Sequence, residues 1–157
     1  MKQFLGLLVC LMAVYLTATI GAAGSIQASS FYVDLNQPSW APPAWLFGPV
    51  WTTLYTFMGV SVWLIWRLNP ENSKRLLLFF AAHLVVNALW SWFFFAWQMG
   101  LVSFLWILLL IAMVVKLIVD YWKVSKPAAL LLVPYLAWIS FAAVLNFAIW
   151  QLNTATL

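Results

Sequence analysis

The sequence predicts an all-α integral membrane protein, a single bundle of five transmembrane helices occupying residues 1–157. Three observations predict it. First, 67% of the residues are hydrophobic and only 6% are charged, with a mean hydropathy of +1.02. A soluble domain carries about 25% charged residues, so this chain lacks the charge to cover a water-facing surface. Second, five apolar runs cover residues 4–26, 45–66, 76–97, 101–122 and 128–150. Each is close to the ~20 residues that cross a bilayer as a helix, and none alternates as a membrane strand would. Third, five spans place Lys2, Arg67, Lys74, Arg75, Lys123 and Lys126 on one side of the membrane. Lys116, four residues before Asp120 near the end of the fourth run, can snorkel to that same side. All seven basic residues then share one face, which the positive-inside rule makes cytoplasmic. The N-terminus is expected in the cytoplasm and the C-terminus outside; an even number of spans would destroy the segregation.

The first run has features of a signal peptide: Lys2 as a positive start and small residues over 21–28. However, it exceeds a usual signal core, and Ile26-Gln27-Ala28 is a poor small-x-small cleavage site. Leu7-Leu8-Val9-Cys10 is a poor lipoprotein box, because Val9 is bulky. A retained helix is expected. Its Thr17, Gly21 and Ser25 recur every four positions, which permits close packing within the chain or a dimer contact.

The link over 27–44 is long for a bundle, and long ordered loops are more often functional. Between residues 31 and 59 the chain holds four of its seven prolines (Pro38, Pro42, Pro43 and Pro49), with Trp40, Trp45 and Trp51. Proline restricts the backbone, and tryptophan supplies a flat apolar surface with one N–H donor. This stretch reads as a lid and one wall of a ligand cavity. The links at 67–75, 98–100 and 123–127 are short, which makes neighbouring helices antiparallel.

Polar groups on membrane helices turn inward. The second run aligns Trp51, Tyr55 and Met58 on one face. The third aligns His83, Asn87, Trp90, Ser91 and Phe94. The fifth aligns Tyr135, Trp138, Ala142 and Leu145, with Phe141 and Asn146 at its edges. Together these faces would line an aromatic cavity with a few donors, suited to a large, flat, mostly apolar molecule with a polar edge. Packing alone also accounts for aromatics at helical spacing. Trp45, Trp63, Trp66, Trp97, Trp122 and Trp150 lie near run ends and read as an interfacial belt. His83 is the only histidine. One axial ligand suffices for haem iron, but a lone histidine in a membrane helix is more often a hydrogen-bonded interior group. Asn87 reads as an interhelical hydrogen-bonding group, and Pro49 and Pro134 as kinks.

Several chemistries are excluded. No lysine or arginine cluster is dense enough for nucleic acid. One cysteine, Cys10, allows neither an internal disulfide nor a multi-cysteine metal site. The only acids are Asp34, Glu71 and Asp120, with no carboxylate pair or Ser/His/Asp set. Val119-x-Tyr121-x-Lys123 fits the loose cholesterol pattern, a contact with membrane lipids.

The blocks Pro38-Ser39-Trp40-x-Pro42-Pro43-x-Trp45 and Gly48-Pro49-Val50-Trp51-x-Thr53-Leu54-Tyr55-x-x-Met58-Gly59 resemble the translocator protein family, also known as peripheral benzodiazepine receptors or tryptophan-rich sensory proteins. Two further blocks agree: Asn87-x-x-Trp90 with Phe94-Phe95, and Pro134-Tyr135-Leu136-Ala137-Trp138-x-x-Phe141-Ala142-x-x-Leu145-Asn146-x-x-x-Trp150. The resemblance implies a five-helix bundle, commonly a homodimer, that binds porphyrins, haem and other hydrophobic ligands beneath the first loop, with no required cofactor. It maps Trp51, Asn87, Trp138 and Ala142 to ligand positions, with Tyr32, Tyr55, Trp90 and Leu145 as further ones; His83 and Phe141 complete the expected set. It implies a receptor or sensor in a bacterial cell membrane. Two alternatives accompany it: light-dependent porphyrin breakdown through Trp51 and Trp138, and transport of tetrapyrroles or lipids. The chain shows no internal repeat of the kind many transporters carry. Phe31 stands where many members have Trp, Gln37 where Lys is usual, and His83 where Gln is frequent. Phe147 and Gln151 replace the Tyr and basic residue of the animal sterol-recognition segment, which argues against sterol recognition by that route.

Overall fold

The structure, a computed structural model, describes residues 2–26 and 28–157. Gln27, and with it the middle of the Ile26–Ala28 junction weighed as a cleavage site, lies outside the described residues. Helix α1 covers Lys2–Gly24, α2 Ala28–Asp34, α3 Phe47–Leu68, α4 Ser73–Ser91, α5 Gly100–Trp122 and α6 Lys126–Leu152. A 3₁₀ turn at Ala44–Leu46 leads into α3, and a π-helical turn at Trp92–Ala96 continues α4. The described residues contain no strand.

Four helical segments are long and apolar enough to cross a membrane: Lys2–Gly24, Ser73–Ala96, Gly100–Trp122 and Lys126–Leu152. The fifth expected span, α3, is 22 residues long but falls short in hydropathy. Its Trp51, Trp63, Trp66, Tyr55, Thr52, Thr53, Thr56 and Ser61 dilute the aliphatic residues. The first link also differs from a plain loop, since α2 occupies seven of its residues. A helix this short is marginal alone and is held by what it packs on.

Local chemistry sets the ends. Ser125 caps α6 by accepting the Ala128 N–H at 3.4 Å, and Pro127 sits in the first turn, where its missing donor costs nothing. Pro49 is likewise in the first turn of α3, so no kink arises there; Pro134 is inside α6. α3 ends at Asn69, whose left-handed backbone (φ 42°) lets its N–H reach the Ile65 and Trp66 carbonyls. In the π turn the Trp97 N–H reaches back five residues to the Trp92 carbonyl at 2.9 Å.

The five long helices form a ring whose order is not the chain order. α1 packs on α3 and α4, α3 on α6, α6 on α5, and α5 on α4. Val14, Met58, Ile65, Ile107, Val114, Leu132 and Ile139 meet in its core. Gly59 makes the α1–α3 approach possible, since a Cβ there would stand 2.7 Å from Leu11 Cδ2. The Thr17 and Gly21 stripe is buried within the chain, with Gly21 against Ala88 and Ser91 of α4. It therefore serves intramolecular packing. Tryptophans fasten the ring: the indole N–H groups of Trp63, Trp92 and Trp106 donate to the carbonyls of Gln3, Ile20 and Val86 at 3.0, 3.0 and 2.8 Å. Trp45, Trp66, Trp97 and Trp122 are exposed near helix ends, as a belt requires.

The helix order puts the ends of α1 and α4 and the start of α3 at one end of the bundle. Lys2, Arg67, Lys74, Arg75, Lys123 and Lys126 lie at the opposite end. Lys116 pairs with Asp120 at 2.6 Å and lies over the Phe79 ring, an exposed pair of small energetic worth. Tyr121 is completely buried, so the residue central to the cholesterol pattern faces the protein interior and cannot meet a sterol in lipid.

Candidate functional site

At the end of the bundle remote from the basic residues, a cavity of about 460 Å³ opens between α1, α3 and α4 beneath the first link. Ligand cavities run to about 300–1,000 Å³. Its walls come from five segments. α1 supplies Tyr15, Ala18, Gly21, Ala22 and Ser25; the link supplies Tyr32 and Ala44. The first turns of α3 bring Phe47, Gly48, Trp51, Thr52 and Tyr55; α4 and the π turn bring Asn87, Trp90, Ser91 and Phe95.

The aromatic walls hold one another. The Trp51 ring is tilted over Tyr55, with centroids 5.6 Å apart, and meets Tyr135 edge-on at 6.2 Å. Trp90 stacks on Phe94 at 5.7 Å, and its indole N–H donates to Asn146 Oδ1 at 3.2 Å. Trp51 itself lines the cavity wall. The polar floor is a short hydrogen bond, in which the Tyr55 hydroxyl donates to Asn87 Oδ1 at 2.5 Å. Asn87 Nδ2 in turn donates to the Tyr135 oxygen at 2.7 Å, and that oxygen lies 3.0 Å from His83 Nε2.

The lid is tied down at several points. The Tyr32 hydroxyl donates to the Pro42 carbonyl at 3.2 Å, and the Gln37 amide donates to the Tyr32 carbonyl. Burial pushes the Tyr32 phenol up from its ordinary range, so it remains a donor. Asn153, at the end of α6, grips the link from below. Its Oδ1 accepts the Asn36 N–H at 2.9 Å, and its Nδ2 donates to the Asn36 carbonyl at 2.9 Å.

Of the ten expected ligand residues, Tyr32, Trp51, Tyr55, Asn87 and Trp90 line this cavity together. The other five lie elsewhere. His83 is completely buried behind Tyr135. Trp138 packs on Phe47 and Phe141 at 5.9 and 5.6 Å, with its indole N–H buried and unpartnered. Phe141 meets Trp40 of the link at 5.9 Å, and Ala142 and Leu145 belong to the core. The wall expected from α6 is thus supplied by α1. Gly21 and Ser25, two members of the small-residue stripe, were the only sequence signal for it. Phe47 is the other notable addition, since it lines the cavity and touches Tyr32 and Trp138 as well.

Comparisons with known proteins agree along nearly the whole chain. Residues 7–151 match the TspO/MBR family. The tryptophan-rich protein TspO of Chlorobaculum tepidum is 44% identical over 160 aligned positions, covering 97% of this chain and 98% of the relative. The translocator protein of Ovis aries is 42% identical over 129 positions, 78% of this chain and 75% of the relative. The tryptophan-rich sensory protein of Cereibacter sphaeroides is 36% identical over 141, 87% and 84%. With four helical segments fit to cross a bilayer and a family match over residues 7–151, the chain is an integral membrane protein and belongs to the TspO/MBR family.

Proposed function

We propose that this protein is a five-span membrane receptor that binds a flat tetrapyrrole, a porphyrin or haem, in the cavity between α1, α3 and α4. α3 is the fifth span, and the basic end of the bundle is cytoplasmic. The observation that carries the reading is the cavity itself, in which Trp51, Trp90, Phe47 and Phe95 offer flat apolar faces and the Tyr55–Asn87 pair offers one polar spot. Rings of this kind suit stacking on an extended π system, and the few polar groups orient it. Binding by stacking is favoured over iron ligation by His83, because that ring is buried behind the cavity wall.

The test is a titration of the purified protein with protoporphyrin, first in the dark and then in light, alongside Trp51→Phe. Saturable binding with unchanged porphyrin bands supports a receptor. Absence of saturable binding overturns the reading. Protein-dependent loss of the bands in light, abolished in Trp51→Phe, replaces the receptor with a photochemical enzyme.

A further inference from the structure

The hydrogen bonds under the cavity floor run in one direction. Tyr55 gives its only proton to Asn87 Oδ1, and Asn87 gives an Nδ2 proton to Tyr135. The Tyr135 oxygen has accepted, so its own proton goes to the remaining neighbour, His83 Nε2, at 3.0 Å. That nitrogen must then be the bare one, and the His83 proton sits on Nδ1. Nδ1 itself is buried and makes no hydrogen bond among the described residues, so the tautomer is set from the Nε2 side alone. His83 and Tyr135 are completely buried, so their part of the chain is shielded from water, while Tyr55 and Asn87 border the cavity. The consequence reaches the cavity. With its proton committed inward, Tyr55 has only oxygen lone pairs left to offer a ligand.

We propose that His83, acting through Tyr135 and Asn87, fixes the hydrogen-bond polarity of the cavity floor. The Tyr55 oxygen therefore accepts, and at that oxygen the cavity selects a flat ligand whose inner edge carries an O–H or N–H donor. An edge carrying only acceptors, a carboxylate or a ketone, finds no proton at Tyr55 and is disfavoured there. To meet such an edge Tyr55 would have to donate to it, the Asn87 amide would have to flip, Tyr135 would have to turn its proton to Asn87, and His83 would have to move its proton to Nε2. His83 is a positioning residue; it does not touch the ligand. This inference rests on the porphyrin reading for its ligand, but the direction of the hydrogen bonds can be measured without one.

Two measurements on the full chain in lipid nanodiscs decide it. His83 is the only histidine, so imidazole ¹⁵N labelling gives one pair of ring signals with no assignment problem. The expected tautomer carries the proton on Nδ1; a proton on Nε2 overturns the proposal. The second measurement compares two porphyrins that differ only at the edge opposite the propionates. One carries hydroxyethyl groups, which donate; the other carries acetyl groups of the same heavy-atom count, which only accept. The hydroxyethyl porphyrin should bind about tenfold tighter, the scale of one buried polar group left without its partner. In His83→Gln the ratio should fall to about twofold or less, because a glutamine amide can either accept or donate and no longer sets the order. Tyr135→Phe, which cuts the connection, should do the same. A packing role for His83 would change both affinities together and leave the ratio intact, and an unchanged ratio in both variants overturns the proposal. If neither porphyrin binds the wild type, the porphyrin reading fails and ligand selection with it, while the ¹⁵N spectrum still decides the polarity.

Discussion

Asn153→Ala should loosen the lid without touching the cavity. One side-chain amide holds both backbone polar groups of Asn36, two bonds of 2.9 Å across a sequence separation of 117 residues. It also donates to the Ile149 carbonyl at 2.7 Å, which fixes its own orientation. The variant removes all three bonds. Asn36 is exposed, so its freed N–H and carbonyl turn to water and are not left orphaned. The ordinary net value therefore applies, about 0.5–1.5 kcal/mol per bond and roughly 1–3 kcal/mol for the two lid bonds. That corresponds to an opening equilibrium shifted on the order of 5- to 150-fold. Hydrogen exchange over residues 28–46 should accelerate by such a factor, and porphyrin dissociation in stopped flow should quicken with it. Asn153→Asp keeps the acceptor for Asn36 and should fall between. Exchange and dissociation both at wild-type rates in Asn153→Ala would refute the reasoning, because the link would then be held by its other contacts alone.

Other expectations follow from the same geometry. Trp51→Phe should weaken porphyrin binding roughly three- to tenfold, whereas Trp138→Phe, outside the cavity wall, should leave it within about twofold; fluorescence titration separates the two. Gly100→Ala should destabilise the protein by about 1–3 kcal/mol, because a Cβ there would lie 2.5 Å from Trp150 Cδ1 and 2.9 Å from Leu157 Cβ; denaturation in mixed detergent reads the loss. Ser61→Ala should cost about 1 kcal/mol in the same assay, since the buried Ser61 hydroxyl donates to the Ala128 carbonyl at 2.7 Å and joins α3 to α6.

Much of this was legible in the sequence. The five runs lie within a few residues of the five long helices, because twenty consecutive apolar residues leave the backbone one solution in lipid. The inward faces were legible too: His83, Asn87, Trp90 and Phe94 are buried, as are Tyr55, Met58, Tyr135, Ala142 and Leu145. What periodicity could not tell is whether an inward polar group meets a ligand or another side chain. Tyr135 and Asn146 of α6 spend their hydrogen bonds on α4 and on the Gly100 carbonyl, so that face became core. The α1 wall was hidden for the opposite reason. A helix that is apolar all round shows no stripe, and only small residues mark the side from which something is missing. The helix α2 escaped notice because seven residues are too few to show a period.

The shortfall in the hydropathy of α3 bears on how the protein is made. Its Thr52, Thr53 and Thr56 hydroxyls return to the carbonyls of Gly48, Pro49 and Thr52, a self-sufficiency that lets them face an apolar medium. Even so, the helix that brings Trp51 and Tyr55 to the cavity is the long helix that falls short in hydropathy for a membrane span. Its two flanking neighbours in the ring are α1, synthesised before it, and α6, synthesised last. The nascent chain therefore carries this helix half-covered until translation has nearly finished. A chain stopped before α6 leaves the Ser61 hydroxyl of α3 without the Ala128 carbonyl to which it donates.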